Sequence, residues 1–293
     1  MINKGKDIPI HLERIIHRSI LDLYFKVEEP ISVGMYNEGN IRKIVVLPTK
    51  NRYMPFIPAE SVKGTMRSLA RKIYDSSCNK GEHSRDTINQ LDESKIEELS
   101  KLGIFTSNQL DELNKDDKLN LYLALRCPIC RLFGSRMLCG KLLFSDMLVS
   151  DTQIITYTSV SINRKRRIAE KERLFTTEYI MPSSTSIRII ANNVIEKQEH
   201  ELLTALLTII ADKGIQIGGL KSRGYGSLKL DKERSSITIL EFIESPKNDE
   251  DIINNVRALL QTGNYKRLTI GEYIDAVNKN VFILLNFIVK CIV

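Results

Sequence analysis

"GGLKSRGYGSLKL", residues 218–230, places four glycines beside Lys221, Arg223 and Lys229 within thirteen positions. The stretch before it, HELLTALLTIIADKG (200–214), spaces leucines and isoleucines as a buried helix and has glycine at the expected stop. Before that, SIRIIANNVIE (186–196) has strand character, and SLKL after the glycines has it again. The unit therefore reads strand, helix, glycine-rich loop, strand. Glycines 218, 219, 224 and 226 suit either positive φ or close backbone approach. Lys221, Arg223 and the amides exposed by such a turn suit an anion, which suggests a phosphate cradle. A plain hairpin turn with solvated cations fits the segment equally well.

Upstream, RIIHRSILDLYFKVEEPISV (14–33) alternates as a strand ending near Pro30, GMYNEGN (34–40) reads as a polar loop, and RKIVVLP (42–48) as a second strand. FIPAESVKGTMRSLARKIYD (56–75) changes period: Val62, Met66, Leu69 and Ile73 share a helical face, Ser61 is the expected N-cap, and Lys63, Arg67 and Arg71 lie elsewhere. Residues from about 75 to 130 are polar and partly helical (SKIEELSKLGI, LNLYLALR) and read as an inserted lobe. Strand character returns from LFGSRMLCGKLLFSDMLV (132–149), and residues 249–280 look helical. Strands, helix, insertion, strands, helix and strand predict an α+β domain of ferredoxin-like type.

The chain has 293 residues, 42% hydrophobic and 27% charged, which argues against wholesale disorder and against a membrane protein. No apolar run reaches the roughly 18 residues of a spanning helix. MINKGKDIPIHLER lacks a secretory core, so a cytoplasmic protein with no membrane partner is expected. The net charge of +7 fits a polyanion partner where cations cluster. They cluster in SVSINRKRRIAEKERLFTTEYI (159–180), where Arg164, Lys165, Arg166 and Arg167 form a run between two strand-like segments, as at the tip of a projecting hairpin. The alternative is a solvated loop balanced by Glu170 and Glu172.

Cys127 and Cys130 form a C-x2-C pair, and Cys78 with His83 in SSCNKGEH completes a four-ligand zinc set that would pin the base of the inserted lobe. Cys139 is the rival ligand, and free packed thiols are the bland alternative. No GxSxG, HExxH or Walker pattern occurs, so no catalytic residue is assigned. Asn37 and Glu38 are the conspicuous polar groups of the GMYNEGN segment.

FIPAESVKGTMRS, CPICRLFGS with GKLLFSDM, the basic SINRKRRIAEKERLFTTEYI and GIQIGGLKSRGYGSLKL occur in one order over about residues 20–230, and together they resemble the RAMP superfamily of CRISPR-associated proteins. The match is nearest to the backbone subunit of type III interference complexes. The resemblance implies an RRM-like ferredoxin core, and one domain over residues 1–293 is expected. It also implies a lid-like lobe at about 75–130 and a thumb hairpin at about 159–180; the stretch at about 245–293, which the resemblance does not cover, is expected to be a helical extension. It further implies side-by-side self-association along a CRISPR guide RNA, with target RNA and other RAMP subunits as partners. Ser61, Lys63, Arg67, Gly219, Lys221, Arg223 and the 164–167 cations would contact RNA. In many such subunits an aspartate after the first strand cleaves target RNA; GMYNEGN has none, so a non-cutting scaffold is expected. The competing expectation is a metal-independent endoribonuclease that processes CRISPR RNA, with Tyr225 near the glycine-rich loop.

Overall fold

A computed structural model of the chain describes residues 15–48, 53–74, 78–79, 82–83, 94–101, 111, 113–163, 168–243, 245–261 and 265–278. The strands are β1 (His17–Val27), β2 (Gly34–Glu38), β3 (Ile41–Ile44), β4 (Val46–Pro48), β5 (Tyr53–Ile57), β6 (Cys78–Asn79), β7 (Glu82–His83) and β8 (Leu142–Phe144). They continue as β9 (Met147–Ser150), β10 (Ile154–Asn163), β11 (Ile168–Ile180), β12 (Ser184–Asn192), β13 (Ile215–Gln216), β14 (Ser227–Leu230), β15 (Ser236–Glu241) and β16 (Tyr265–Thr269). The helices are α1 (Ala59–Ile73), α2 (Ser94–Lys101), α3 (Lys115–Arg126), α4 (Pro128–Phe133), α5 (Lys197–Lys213), α6 (Asp249–Leu259) and α7 (Ile270–Asn278). The architecture is α+β with predominantly antiparallel sheets.

Strand β1 organises the larger sheet. Its side chains alternate between core and partial exposure, with Leu21, Leu23, Phe25 and Val27 buried, as a half-covered strand requires. It pairs antiparallel with β12 from Arg18↔Asn192 to Lys26↔Ser184. Its other edge is shared: His17–Asp22 pair with β15, and Phe25–Val27 with β14. Beyond β12 the sheet continues through β9, β5 and β4. One hydrophobic cluster joins this sheet to the helices, with Leu21, Leu23, Ile187 and Ile189 packed in the same core as Met66 of α1 and Leu206, Leu207 and Ile210 of α5. Each such side chain contributes about 1.5–3 kcal/mol by leaving water. Gly214 (φ 71°) ends α5 and turns the chain into β13.

A second sheet, in the order β10-β11-β3-β2, is built on the β10–β11 hairpin, and β11 runs parallel to β3 through Thr176↔Ile41 and Thr177↔Arg42. The two sheets meet at residues 30–33. There Ile31 bridges Ile180 at the end of β11, with reciprocal N–H to carbonyl bonds of 2.9 and 2.8 Å.

Three local expectations change. Helix α1 starts at Ala59 after Pro58, before the expected Ser61 cap, because Asp146, 87 residues away, accepts a hydrogen bond from the Ala59 amide at 2.7 Å. The GMYNEGN segment is the strand β2 and the Gly39–Asn40 turn, since β3 supplies a partner along Tyr36–Glu38. Within 249–280 the stretch Tyr265–Thr269 is a strand on the edge of β15.

Candidate nucleic-acid interface

The glycine-rich loop folds back on residues 30–33. Amides of Gly219 and Gly226 donate to the carbonyls of Ser32 and Pro30 at 2.9 and 3.0 Å, and the Ile217 amide donates to the Gly226 carbonyl at 2.9 Å. Gly218 (φ 92°) and Gly226 (φ 83°) lie in the left-handed region. A Cβ at Gly218 would come within 2.5 Å of the Ser32 carbonyl oxygen, and one at Gly226 would overlap that of Ile217. Between them Lys221–Arg223 form one 3-10 turn, whose Arg223 and Gly224 amides are donated inside the loop. The glycines therefore permit close packing on the protein itself. The amide cradle expected from the sequence is thus partly filled from within, the Gly219, Arg223, Gly224 and Gly226 amides donating to the protein's own carbonyls.

Side chains from three elements converge there. Lys221 is half-buried, and burial first, then the charge of Lys72 near the end of α1, lower its pKa. Arg42 of β3 lies against Gly219, its guanidinium 3.4 Å from where a Cβ would sit, and also against Gly34. Tyr225 packs against Tyr179 of β11 in a tilted arrangement, with centroids 4.9 Å apart and an interplanar angle of 30°. Burial raises the Tyr179 phenol above its usual value and Tyr225 adds to this, while Arg223 opposes it, so Arg223 also belongs to this neighbourhood.

Cross-strand register sets which face these groups occupy. Tyr157 pairs with Thr177, Thr177 with Arg42, and Arg42 with Asn37, which forms one row on the face that meets the loop. Glu38 belongs to the opposite face, where Lys43 binds it at 3.6 Å and Glu178 at 2.9 Å. Arg42, Lys72, Tyr157 and Tyr179 were not singled out in the sequence. They sit in ordinary helix and strand patterns, and the β11–β3 pairing that assembles three of them spans 135 residues, as between Lys43 and Glu178.

Gly219, Lys221 and Arg223 thus share one region. Ser61 and Lys63 are in the first turns of α1, with Lys63 roughly 13 Å along the axis from Lys72 at 1.5 Å per residue. Arg67 points elsewhere: it donates to the Gly134 carbonyl at 2.5 Å and to the sulfurs of Cys78 and Cys130 at 3.4 and 3.6 Å. Arg164, Lys165, Arg166 and Arg167 lie outside the described residues.

The second site is the buried group Cys78, Cys127 and Cys130, whose sulfurs all lie within 4.8 Å of one another. The Cys78 and Cys130 sulfurs are 3.3 Å apart. Hydrogen bonds from Cys127 and Cys130, and more weakly from Arg67, hold the Cys78 thiol far below its usual value, whereas the bond to Cys127 pushes Cys130 up. Three buried thiols with one favoured as thiolate make a donor set that could hold a metal ion. Cys139 is exposed and outside the group. The His83 backbone pairs with Cys78 across β6–β7; its side chain lies outside the described residues.

A family model for the RAMP superfamily matches residues 24–229. No curated protein matches the sequence. Among solved structures, a chain of the cryo-EM structure of the Type III-B Cmr-beta bound to cognate target RNA is similar over 76% of this chain, at 14% identity and a TM-score of 0.44. This chain covers 61% of that neighbour's length.

Proposed function

The chain belongs to the RAMP superfamily, and on that premise we propose that it is an RNA-binding backbone subunit of a type III CRISPR interference complex. It holds guide RNA by sugar-phosphate contacts and supports target RNA pairing. The observation that carries this reading is the convergence of Lys221, Arg223, Lys72 and Arg42 around the glycine-rich loop, from segments far apart in sequence. Like charges gathered on one surface, with Lys221 partly buried and Arg42, Lys72 and Arg223 exposed, favour a polyanion as partner. Such contacts carry no base information, so guide sequence is tolerated and base pairing supplies specificity.

The strand order β14-β1-β12-β9, with α1 after β1 and α5 after β12, supports a ferredoxin-like core. On that core the lobe from about 75 to 130 acts as the lid and the β10–β11 hairpin as the thumb, with Arg164 to Arg167 reaching the duplex. Ser61 and Lys63 extend the track, and copies associate side by side along the guide with other RAMP subunits. The subunit does not cut RNA: Glu38, the nearest carboxylate to the expected position, pairs with Lys43 on the face away from the loop. Cys78, Cys127 and Cys130 hold a structural zinc with His83, whose backbone lies opposite Cys78, as fourth donor.

The test is the salt dependence of single-stranded RNA binding. Each phosphate contact contributes about −0.7 to the slope of log K against log salt. Replacing Arg42, Lys221 and Arg223 together by alanine should make the slope shallower by about two. A slope that does not move would remove this surface from the reading, and discrete cleavage of repeat RNA in EDTA would favour a processing endoribonuclease instead.

A further inference from the structure

Helix α6 is mounted with its apolar side outward. Asp251, Asn255 and Ala258 form one helical row toward the body of the protein. Ala258 is the one buried residue of the helix. Asn255 accepts from the Ile243 amide at 2.7 Å and donates to the Ile243 carbonyl at 3.0 Å, just after β15, and Asp251 accepts from the Lys247 amide at 2.8 Å. At about 100° per residue, Ile252, Ile253, Val256 and Leu259, with Leu260 just beyond the helix, centre on the opposite side of the axis. These five side chains are 48–65% exposed. Single exposed aliphatic residues are ordinary, but a continuous stripe of them marks a face that something covers.

The chain carries a segment suited to that face. Residues 279–293 follow α7 directly and lie outside the described residues. From Val281 to Val293 the only polar side chains are Asn286 and Lys290. The only charges of the segment are therefore Lys279 and Lys290, both positive. The stripe begins at an acidic turn, Asp249 to Asp251, with Asp249 in line with Val256 two turns on. Shape of charge and apolar content thus match. Both neighbouring helices hang on one sheet edge, α6 against β15 and α7 against β15 and β16. The fifteen residues after Asn278 can extend about 50 Å, roughly three times the length of α6, so they reach the stripe from the end of α7. A segment of the same chain also acts at an effective concentration on the order of millimolar, whereas a second copy must come from solution.

We propose that the stripe from Ile252 to Leu260 is the docking face for this chain's own residues 281–293. The contact is independent of RNA binding. It makes residues 249–293 one self-covered unit on the β15–β16 edge and keeps an adhesive face away from other proteins.

Photocrosslinking of the full chain tests it. Irradiated Val256→p-benzoylphenylalanine should give a monomer-sized product in which α6 is joined to the tryptic peptide 280–290, in a yield that does not change on dilution. The same probe at Asn254, on the side of the helix away from the stripe, should not capture that peptide. Val256→Asp, at an exposed position, should let trypsin cut after Lys279 and Lys290 about 10- to 100-fold faster, as the loss of one aliphatic contact requires. RNA affinity should stay at the wild-type value in that variant. A dimer-sized product would assign the stripe to a second copy and overturn the docking. No product containing 280–290, equal capture from Asn254, or an unchanged cleavage rate in Val256→Asp would also overturn it.

Discussion

A methyl group added at Gly226 would occupy the space of the Ile217 carbonyl oxygen, in a backbone at φ 83° that side chains avoid. Gly224 has a similar φ of 86° but open space around it. Gly224→Ala should therefore cost about 1–2 kcal/mol, the left-handed penalty alone. Gly226→Ala should cost more, about 3 kcal/mol or above, because overlap adds to strain; urea denaturation midpoints of the two variants check the order. His17 sets a pH dependence. Buried at the start of β1, its Nδ1 finds no hydrogen-bond partner among the described residues, and burial, helped by His200, lowers its pKa to about 4. The folded protein thus keeps the ring neutral. Its contribution is fully present above the unfolded value near 6.5 and is lost as pH falls toward 4, about 3 kcal/mol in all. His200, also lowered by burial, acts in the same direction. Denaturation midpoints should drop between pH 7 and pH 4, and His17→Gln should flatten that drop.

Among elements, those whose pattern is set by their own burial were legible in the sequence. Helix α5 buries Leu202, Leu203, Leu206, Leu207 and Ile210 and stops at Gly214, and β12 alternates about Ile187 and Ile189, so local periodicity sufficed. Elements fixed by a distant partner were not. The polar residues of β2 form a strand because β3 lies beside them, α1 starts early because Asp146 reaches its first amide, and β16 is a strand because β15 offers an edge. The same distinction applies to the sites. Adjacent cysteines were readable as ligands, and Cys78 joins them as expected. Arg67, expected from the resemblance to contact RNA, donates hydrogen bonds to two of those sulfurs, 11 and 63 positions away, a contact that helical periodicity does not reveal. If the cluster binds zinc, protein purified without chelator should carry about one zinc per chain by elemental analysis. Cys130→Ser should lose the metal and lower the melting temperature; a metal-free wild type would contradict the assignment.

For the whole molecule, two sheets meet at residues 30–33, and the glycine-rich loop closes over the same segment. This junction brings Arg42, Tyr157, Lys221 and Arg223 to one surface although more than 180 positions separate the first from the last. The proposed path of RNA runs along this surface, held by its sugar-phosphate. Ultraviolet crosslinking of the protein to 4-thiouridine RNA, with the modified base stepped along the strand, maps that path most directly. Crosslinked peptides should come from 218–226, from β3 and from β10. Crosslinks confined to α6 and β16, on the far edge of the larger sheet, would contradict it.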